Sequence, residues 1–159
     1  MRSLRAAAAL LAMLLFAQPA WAALEPRSGW EVHNTTHSYK DLIGRLDQAV
    51  KDHKMGLVSR ASATVGAQKV LDKTIPGNMV VGVYHPRFAV RMLETSAPAG
   101  IEAPIRFYIT ENEDGTATLS YKTPSLVFAP YSDGNEPLIQ LAAELDEIFA
   151  GIAKQAVGP

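Results

Sequence analysis

The chain contains no cysteine. That absence excludes disulfides, thiolate metal sites, a cysteine nucleophile and a lipid-modified N-terminal cysteine together. A basic run is missing as well: 15 Lys and Arg are set against 16 Asp and Glu over 159 residues, a formal charge of −1. Binding to nucleic acid through phosphate neutralisation is therefore not expected. No G-x-S-x-G elbow, phosphate-cradling glycine loop or H-E-x-x-H zinc motif occurs. Internal repeats and low-complexity tracts are lacking too, and so is any complete catalytic signature.

The most legible signal is an address at the N-terminus. Arg2 and Arg5 form a short positive region, Ala6 to Ala17 an apolar core, and Ala20-Trp21-Ala22 the small-x-small pattern of signal-peptidase cleavage. The apolar core falls short of the roughly 20 residues that span a bilayer, and Gln18 and Pro19 interrupt its extension, so a stable membrane anchor is not expected. Arg2 and Arg5 are not adjacent, which argues against the twin-arginine route. The expected product is a periplasmic or secreted chain of about 137 residues with a formal charge of about −3, folded after export. Such a chain buries about two-thirds of its unfolded surface and forms one domain without staples.

After a short lead, Ala23 to Gly29, the mature sequence alternates strands and helices. Trp30 to Thr36 reads as a strand. Ser38 and Asp41 make a capping pair for a helix whose stripe is Leu42, Leu46, Ala49 and His53, with Gly56 placed as its C-terminal cap. Gly44 inside that helix suggests close backbone packing there. Leu57 to Arg60 reads as a second strand, and Ser62 to Lys73 is ambiguous with room for a short helix. Met79 to Tyr84 is apolar throughout, as in a central strand buried on both faces. Pro86 opens a helix bearing Phe88, Ala89, Met92 and Leu93. Ile105 to Thr110 and Ala117 to Tyr121 form a hairpin turning at Asp114-Gly115. An irregular stretch with Pro124 and Pro130 precedes a last helix from Pro137, striped by Leu138, Leu141, Leu145, Ile148 and Ile152. The pattern predicts an α+β class: a single two-layer domain, a mixed sheet of about five strands and about three helices on one face.

Val83-Tyr84-His85-Pro86 leading into Ala89 and Met92-Leu93, then Ala99-Gly100, Ala103-Pro104 and Tyr121-x-x-Pro124, occur in an order that resembles the domain-of-unknown-function 302 family. The resemblance runs from Trp30 to Ala156. It implies a small α+β domain, a homodimer, and no established enzymatic activity; several members carry export signals. Two departures stand out. Where the family has an Asn-like residue before the proline, this chain has His85, and where it often has Leu-Pro-Cys, this chain has Ala103-Pro104-Ile105. A short polar side chain before a helix-initiating proline suits an N-cap.

The histidines are the candidates for site chemistry. His85 stands at a strand end before a helix N-terminus, where a neutral imidazole could accept a proton, and Arg87 beside it could receive an anion with the free N–H groups of the first turn. His85 is thus the best catalytic candidate, and His85 with Arg87 the candidate ligand-binding pair. His33 and His37 have the i,i+4 spacing of a zinc pair. On a strand, however, four residues span about 13 Å, whereas ligands sharing one zinc at about 2.1 Å sit far closer. His53 suits a helix C-terminus. The acidic Glu111, Glu113 and Asp114 lack the spacing of a calcium loop and read as a solvated turn. No cofactor is expected. The leading expectation is a non-catalytic, homodimeric periplasmic module binding a small ligand or a partner protein. The alternatives are a small enzyme using His85 as base and a histidine metal site.

Overall fold

The computed structural model describes residues 24–159; the leader read at residues 1–22 lies outside the described residues. Five strands, β1 (Trp30–Ser38), β2 (Gly56–Ala61), β3 (Asn78–Tyr84), β4 (Ile105–Glu111) and β5 (Thr116–Lys122), form one sheet in the order β1-β5-β4-β3-β2. Helices α1 (Tyr39–Asp52), α2 (Ala63–Leu71), α3 (Pro86–Thr95), α4 (Pro124–Phe128) and α5 (Glu136–Val157) accompany it, with 3-10 turns at Ala97–Glu102 and Ala129–Tyr131. The class is α+β, as the sequence pattern predicts.

The details correct that expectation in several places. The sheet is not mixed, because every neighbouring pair is antiparallel. The β3–β4 connection shows how: α3 leads about 15 Å away and the following 3-10 turn leads about 12 Å back. β4 therefore starts where β3 stopped, with Val83 opposite Ile105. Among the described residues the α-helices number five rather than about three, since Ser62 caps α2 in the ambiguous segment and Pro124 opens α4 in the irregular stretch. The central strand is β4, while β3 lies one place nearer the β2 edge. Its Val81 and Val83 are buried, but Val80 and Tyr84 are only half-buried.

Local chemistry explains most helix ends. The Ser38 hydroxyl accepts the Asp41 N–H at 3.2 Å and donates to the Asp41 carboxylate at 2.7 Å, closing the start of α1. At its other end His53 is the cap residue, and Lys54, at φ 58°, makes the left-handed turn expected of Gly56. Gly56 instead begins β2. The His53 ring lies against Gly151 of α5, where a Cβ would meet its Cε1 at 2.5 Å. Asn135 caps α5 by accepting the Leu138 N–H at 3.3 Å.

The core lies between one face of the sheet and α1, α3, α4 and α5. Val81, Val83, Phe107, Ile109, Leu119 and Tyr121 meet Leu42 and Leu46 of α1 and Leu138, Leu141, Leu145, Phe149 and Ile152 of α5. Phe149 stacks on Phe107 with ring centroids 4.8 Å apart and planes 11° from parallel. The far end of α5 is fixed by Arg45, whose guanidinium donates to the carbonyls of Ala156 at 2.8 Å and Gly158 at 2.7 Å. A cation on the free carbonyls of a helix C-terminus is favourable.

Gly44 departs from expectation, for a Cβ there would meet nothing within 4 Å and the residue is exposed. Gly82 is the opposite case: a Cβ would meet the Ser59 hydroxyl at 2.2 Å and the Pro104 ring at 2.8 Å. Gly44→Ala is expected to raise unfolding stability by about 1 kcal/mol. Gly82→Ala should lower it by about 1–3 kcal/mol through overpacking. Urea titrations of the two variants check both signs, and a destabilised Gly44→Ala would contradict the open surroundings at that position.

Candidate functional site

His85 is the N-cap of α3, with extended backbone and Nδ1 accepting the Arg87 N–H at 3.1 Å. Accepting that bond occupies the Nδ1 lone pair, so the neutral ring carries its proton on Nε2. The ring meets Phe88 edge-on at 6.1 Å. The Arg87 guanidinium lies 4.8 Å from the centre of the same Phe88 ring, and Arg91, paired to Glu144 at 2.6 Å, lies 5.7 Å from it. His85 and Arg87 thus share Phe88 as a neighbour. The hollow beside them, walled by Met55, Phe88, Met92, Phe128, Leu145 and Phe149, holds about 30 Å³. That is the room of one or two waters.

His33 and His37 go to different partners on edge strand β1. The His33 ring stacks on Tyr121 at 6.1 Å, with Nε2 buried and lacking a hydrogen-bond partner. The His37 Nε2 meets the Gly158 carbonyl at 2.8 Å, beside Arg45 at the end of α5. β5 and β4 separate β1 from β3, which ends one residue before His85, a lateral distance of about 14 Å. Among the described residues, no group of three or more His, Asp or Glu side chains is arranged to hold a metal ion.

A broad concavity lies on the sheet face that the helices leave uncovered. It encloses about 620 Å³, within the range of about 300–1,000 Å³ usual for small-molecule sites. Strand register orders the residues of this face in three rows, and part of each row lines the cavity. In the first, Trp30 faces Lys122, Arg106 faces Gly82, and Gly82 faces Ser59. Arg106 and Lys122 fall opposite one another where the Phe107–Tyr121 register continues by one residue. The middle row is Val32, Ser120, Tyr108, Val80 and Ala61. The last is Asn34, Thr118, Thr110 and Asn78.

The rows differ in how their polar groups are satisfied. Thr118 lies within hydrogen-bonding distance of the side-chain oxygens of Asn34, at 2.9 Å, and Asn112, at 3.0 Å. Asn78 accepts the Ala63 N–H at 2.9 Å and donates to Thr64 at 2.9 Å, which ties α2 to the sheet. In this last row the side chains of Asn34, Thr118 and Asn78 are thus hydrogen-bonded within the protein. In the first row, Lys122 Nζ lies 5.6 Å from the Trp30 ring centre and Arg27 5.1 Å from it. Among the described residues the ion pairs are Arg60–Asp47 and Arg91–Glu144, so no carboxylate pairs with Arg27, Arg106 or Lys122. Glu102, on the cavity wall, accepts the Tyr131 hydroxyl at 2.9 Å instead, which raises that phenol's pKa.

A sequence model described as a domain of unknown function, DUF302, matches residues 31–156. The chain belongs to the DUF302 family. A crystal structure described as an uncharacterized conserved protein DUF302 from Bacillus stearothermophilus is similar in fold, with a TM-score of 0.73 at 18% sequence identity. The similarity covers 82% of this chain and 99% of that one. Among curated proteins none matches. Within the DUF302 domain, then, His85 occupies the cap position that the motif before Pro86 suggests, while the uncovered face was not anticipated from the sequence.

The missed residues alternate along their strands with core residues: Arg106 and Tyr108 with Ile105, Phe107 and Ile109, Ser120 and Lys122 with Leu119 and Tyr121. One signal was available. The hairpin turn at Asp114-Gly115 sets the register that brings the two cations together.

Two outcomes test these environments. His85→Ala should cost about 1 kcal/mol of stability through loss of the cap, and His85→Asn should cost much less. Equal costs in thermal unfolding would show that the ring contributes through its contact with Phe88 instead. Burial, together with the charges of Glu31 and Asp146, pushes the Tyr121 phenol up to about 12. Its folded pKa is raised, so its contribution is complete below pH 10 and is lost between pH 10 and 12 as the unfolded chain ionises first. Urea midpoints across that window should fall less steeply in Tyr121→Phe than in the parent protein.

Proposed function

We propose that this DUF302 protein is a non-catalytic binding module, exported to the periplasm, that holds a small ligand on its uncovered sheet face and works as a homodimer. The observation that carries the reading is the cavity of about 620 Å³ floored by residues of all five strands, with apolar walls and a few polar groups. A cavity of this size and lining matches the usual composition of small-molecule sites. The hollow at His85 is about a twentieth of that volume, and the Nδ1 lone pair is already engaged by Arg87. Neither a nucleophile nor a second titratable group is hydrogen-bonded to His85.

Support for the dimer comes from α2, which buries none of its residues and exposes Val65, Val70 and Leu71. A nine-residue helix is marginal alone in water, and covering those side chains with a second copy would remove them from solvent. Export rests on the leader at residues 1–22, whose charged, apolar and cleavage regions follow in the expected order.

Native mass spectrometry of untagged protein from a periplasmic extract tests the reading. The expected species is a dimer of chains beginning at Ala23 that retains a small molecule, and Val80→Trp, which fills the middle row, should lose that molecule. A monomer without ligand, or a chain that keeps Met1 and stays in the cytoplasmic fraction, would overturn the corresponding part of the proposal.

A further inference from the structure

Continued by one residue, the register that pairs Phe107 with Tyr121 sets Arg106 against Lys122 on adjacent antiparallel strands of the uncovered face. Side chains so opposed have Cβ atoms about 4.5–5.5 Å apart, and like charges there are destabilising. The Trp30 ring, 5.6 Å from Lys122 Nζ, offsets part of this, while Glu102 on the cavity wall accepts the Tyr131 hydroxyl and makes no ion pair with either cation. Both residues line the cavity, and no described carboxylate is within ion-pair distance of either. Trp30, the neighbour of Lys122 across the β1–β5 pairing, has Arg27 5.1 Å from its ring centre, which adds a third cation rather than an anion. The protein as a whole carries a formal charge of −1, so this concentration of positive charge is not a consequence of a basic surface.

The opposite end of the cavity has no such excess: its polar lining residue is Asn78, whose side chain bonds to Ala63, Thr64 and the Pro76 carbonyl. Between the two ends lie Val80 and Tyr108, with Val127 on the wall. The first and last rows are four residues apart along each strand, about 13 Å. The cavity is therefore polarised: cationic at one end, apolar through the middle and neutral at the far end. We infer that it takes a small molecule with an apolar body and one anionic head group, the head held between Arg106 and Lys122 and the body lying over Tyr108 and Val80. The inference rests on the ligand-binding reading above and names the ligand class for that cavity. The forked guanidinium of Arg106 suits the paired oxygens of a carboxylate or phosphate, and Lys122 supplies a second, movable charge. An anion placed there would replace a repulsion by two attractions.

Isothermal titration of the protein with octanoate, octyl phosphate, octylamine and octanol, each below its micellar concentration, separates the contributions. Octanoate or octyl phosphate should bind at least tenfold more tightly than octylamine, and whichever of the two binds better identifies the head group as carboxylate or phosphate. Arg106→Gln and Lys122→Gln should each weaken the anionic probes at least tenfold while leaving octanol within about twofold. Without ligand, Arg106→Gln should melt above the parent protein, since the like-charge pair is gone. Binding of octylamine as tight as octanoate, or anion binding that survives Arg106→Gln, would overturn the inference while leaving the cavity as a ligand site. Octanoate binding unaffected by Val80→Trp would overturn the cavity itself.

Discussion

Phe149 lies flat on Phe107, and the rest of the fold is arranged around that contact. Phe107 sits on the central strand and Phe149 near the middle of α5, the longest described helix, so the stack joins the centre of the sheet to that helix at one point. Tyr121 leans on both rings, at 5.0 Å from Phe107 and 5.9 Å from Phe149, and brings β5 into the same cluster. Burying aromatic surface of this kind is a large part of what a domain of this size has to hold it together. Truncating either phenylalanine of such a pair removes about 3–5 kcal/mol, a large share of a typical domain's stability. α1 then fits alongside, with Arg45 and His37 holding the end of α5 against it.

That arrangement spends the apolar surface of the sheet on one side only. An antiparallel sheet tolerates this, because alternate residues point to opposite faces and only one set needs covering. The covered set includes Val81, Phe107, Ile109, Leu119 and Tyr121; the other set includes Arg106, Tyr108, Ser120 and Lys122. Since Ser59, Val80, Tyr108, Ser120 and Trp30 come from five strands, only the register assembles them. The same registers that align the core also set the order of charge and apolar surface across the uncovered face.

Punctuation was the most readable feature of the sequence. Ser38 and Pro86 start helices where their side-chain chemistry demands, and Asp114-Gly115 turns the hairpin, with Gly115 at φ 81°. His85 proved to be the side chain that accepts the first free N–H of its helix. What escaped sequence reading depended on distant contacts. α4 is five residues long, and its cap bond from Leu126 to Thr123 gains force only because Phe128 reaches the core and Ser125 bonds to Asp146 of α5. Gly44 looked like a packing site because most helical glycines weaken their helix, yet here the space beside it is empty. Met79 to Tyr84 looked doubly buried because its composition is apolar throughout; Val80 is instead part of the cavity floor. The direction of β4 followed from a return path that hydrophobic spacing does not encode.

α2 is held differently from every other helix. It contributes nothing to the core, and its attachment is polar: Asn78 and Ser62 engage its first turn, and Thr64 donates to the Pro76 carbonyl at 2.8 Å. Segments with few buried contacts open at low free-energy cost, independently of the rest of the molecule. Ser62 and Ala63, at the foot of this helix, form one wall of the cavity. The protein thus has a rigid floor, whose positions are fixed by the same strands that carry the core, and a side wall secured by a few hydrogen bonds. On the proposed ligand-binding reading, molecules of different girth would be met by yielding of that wall, while the spacing of Arg106 and Lys122 beneath stays constant.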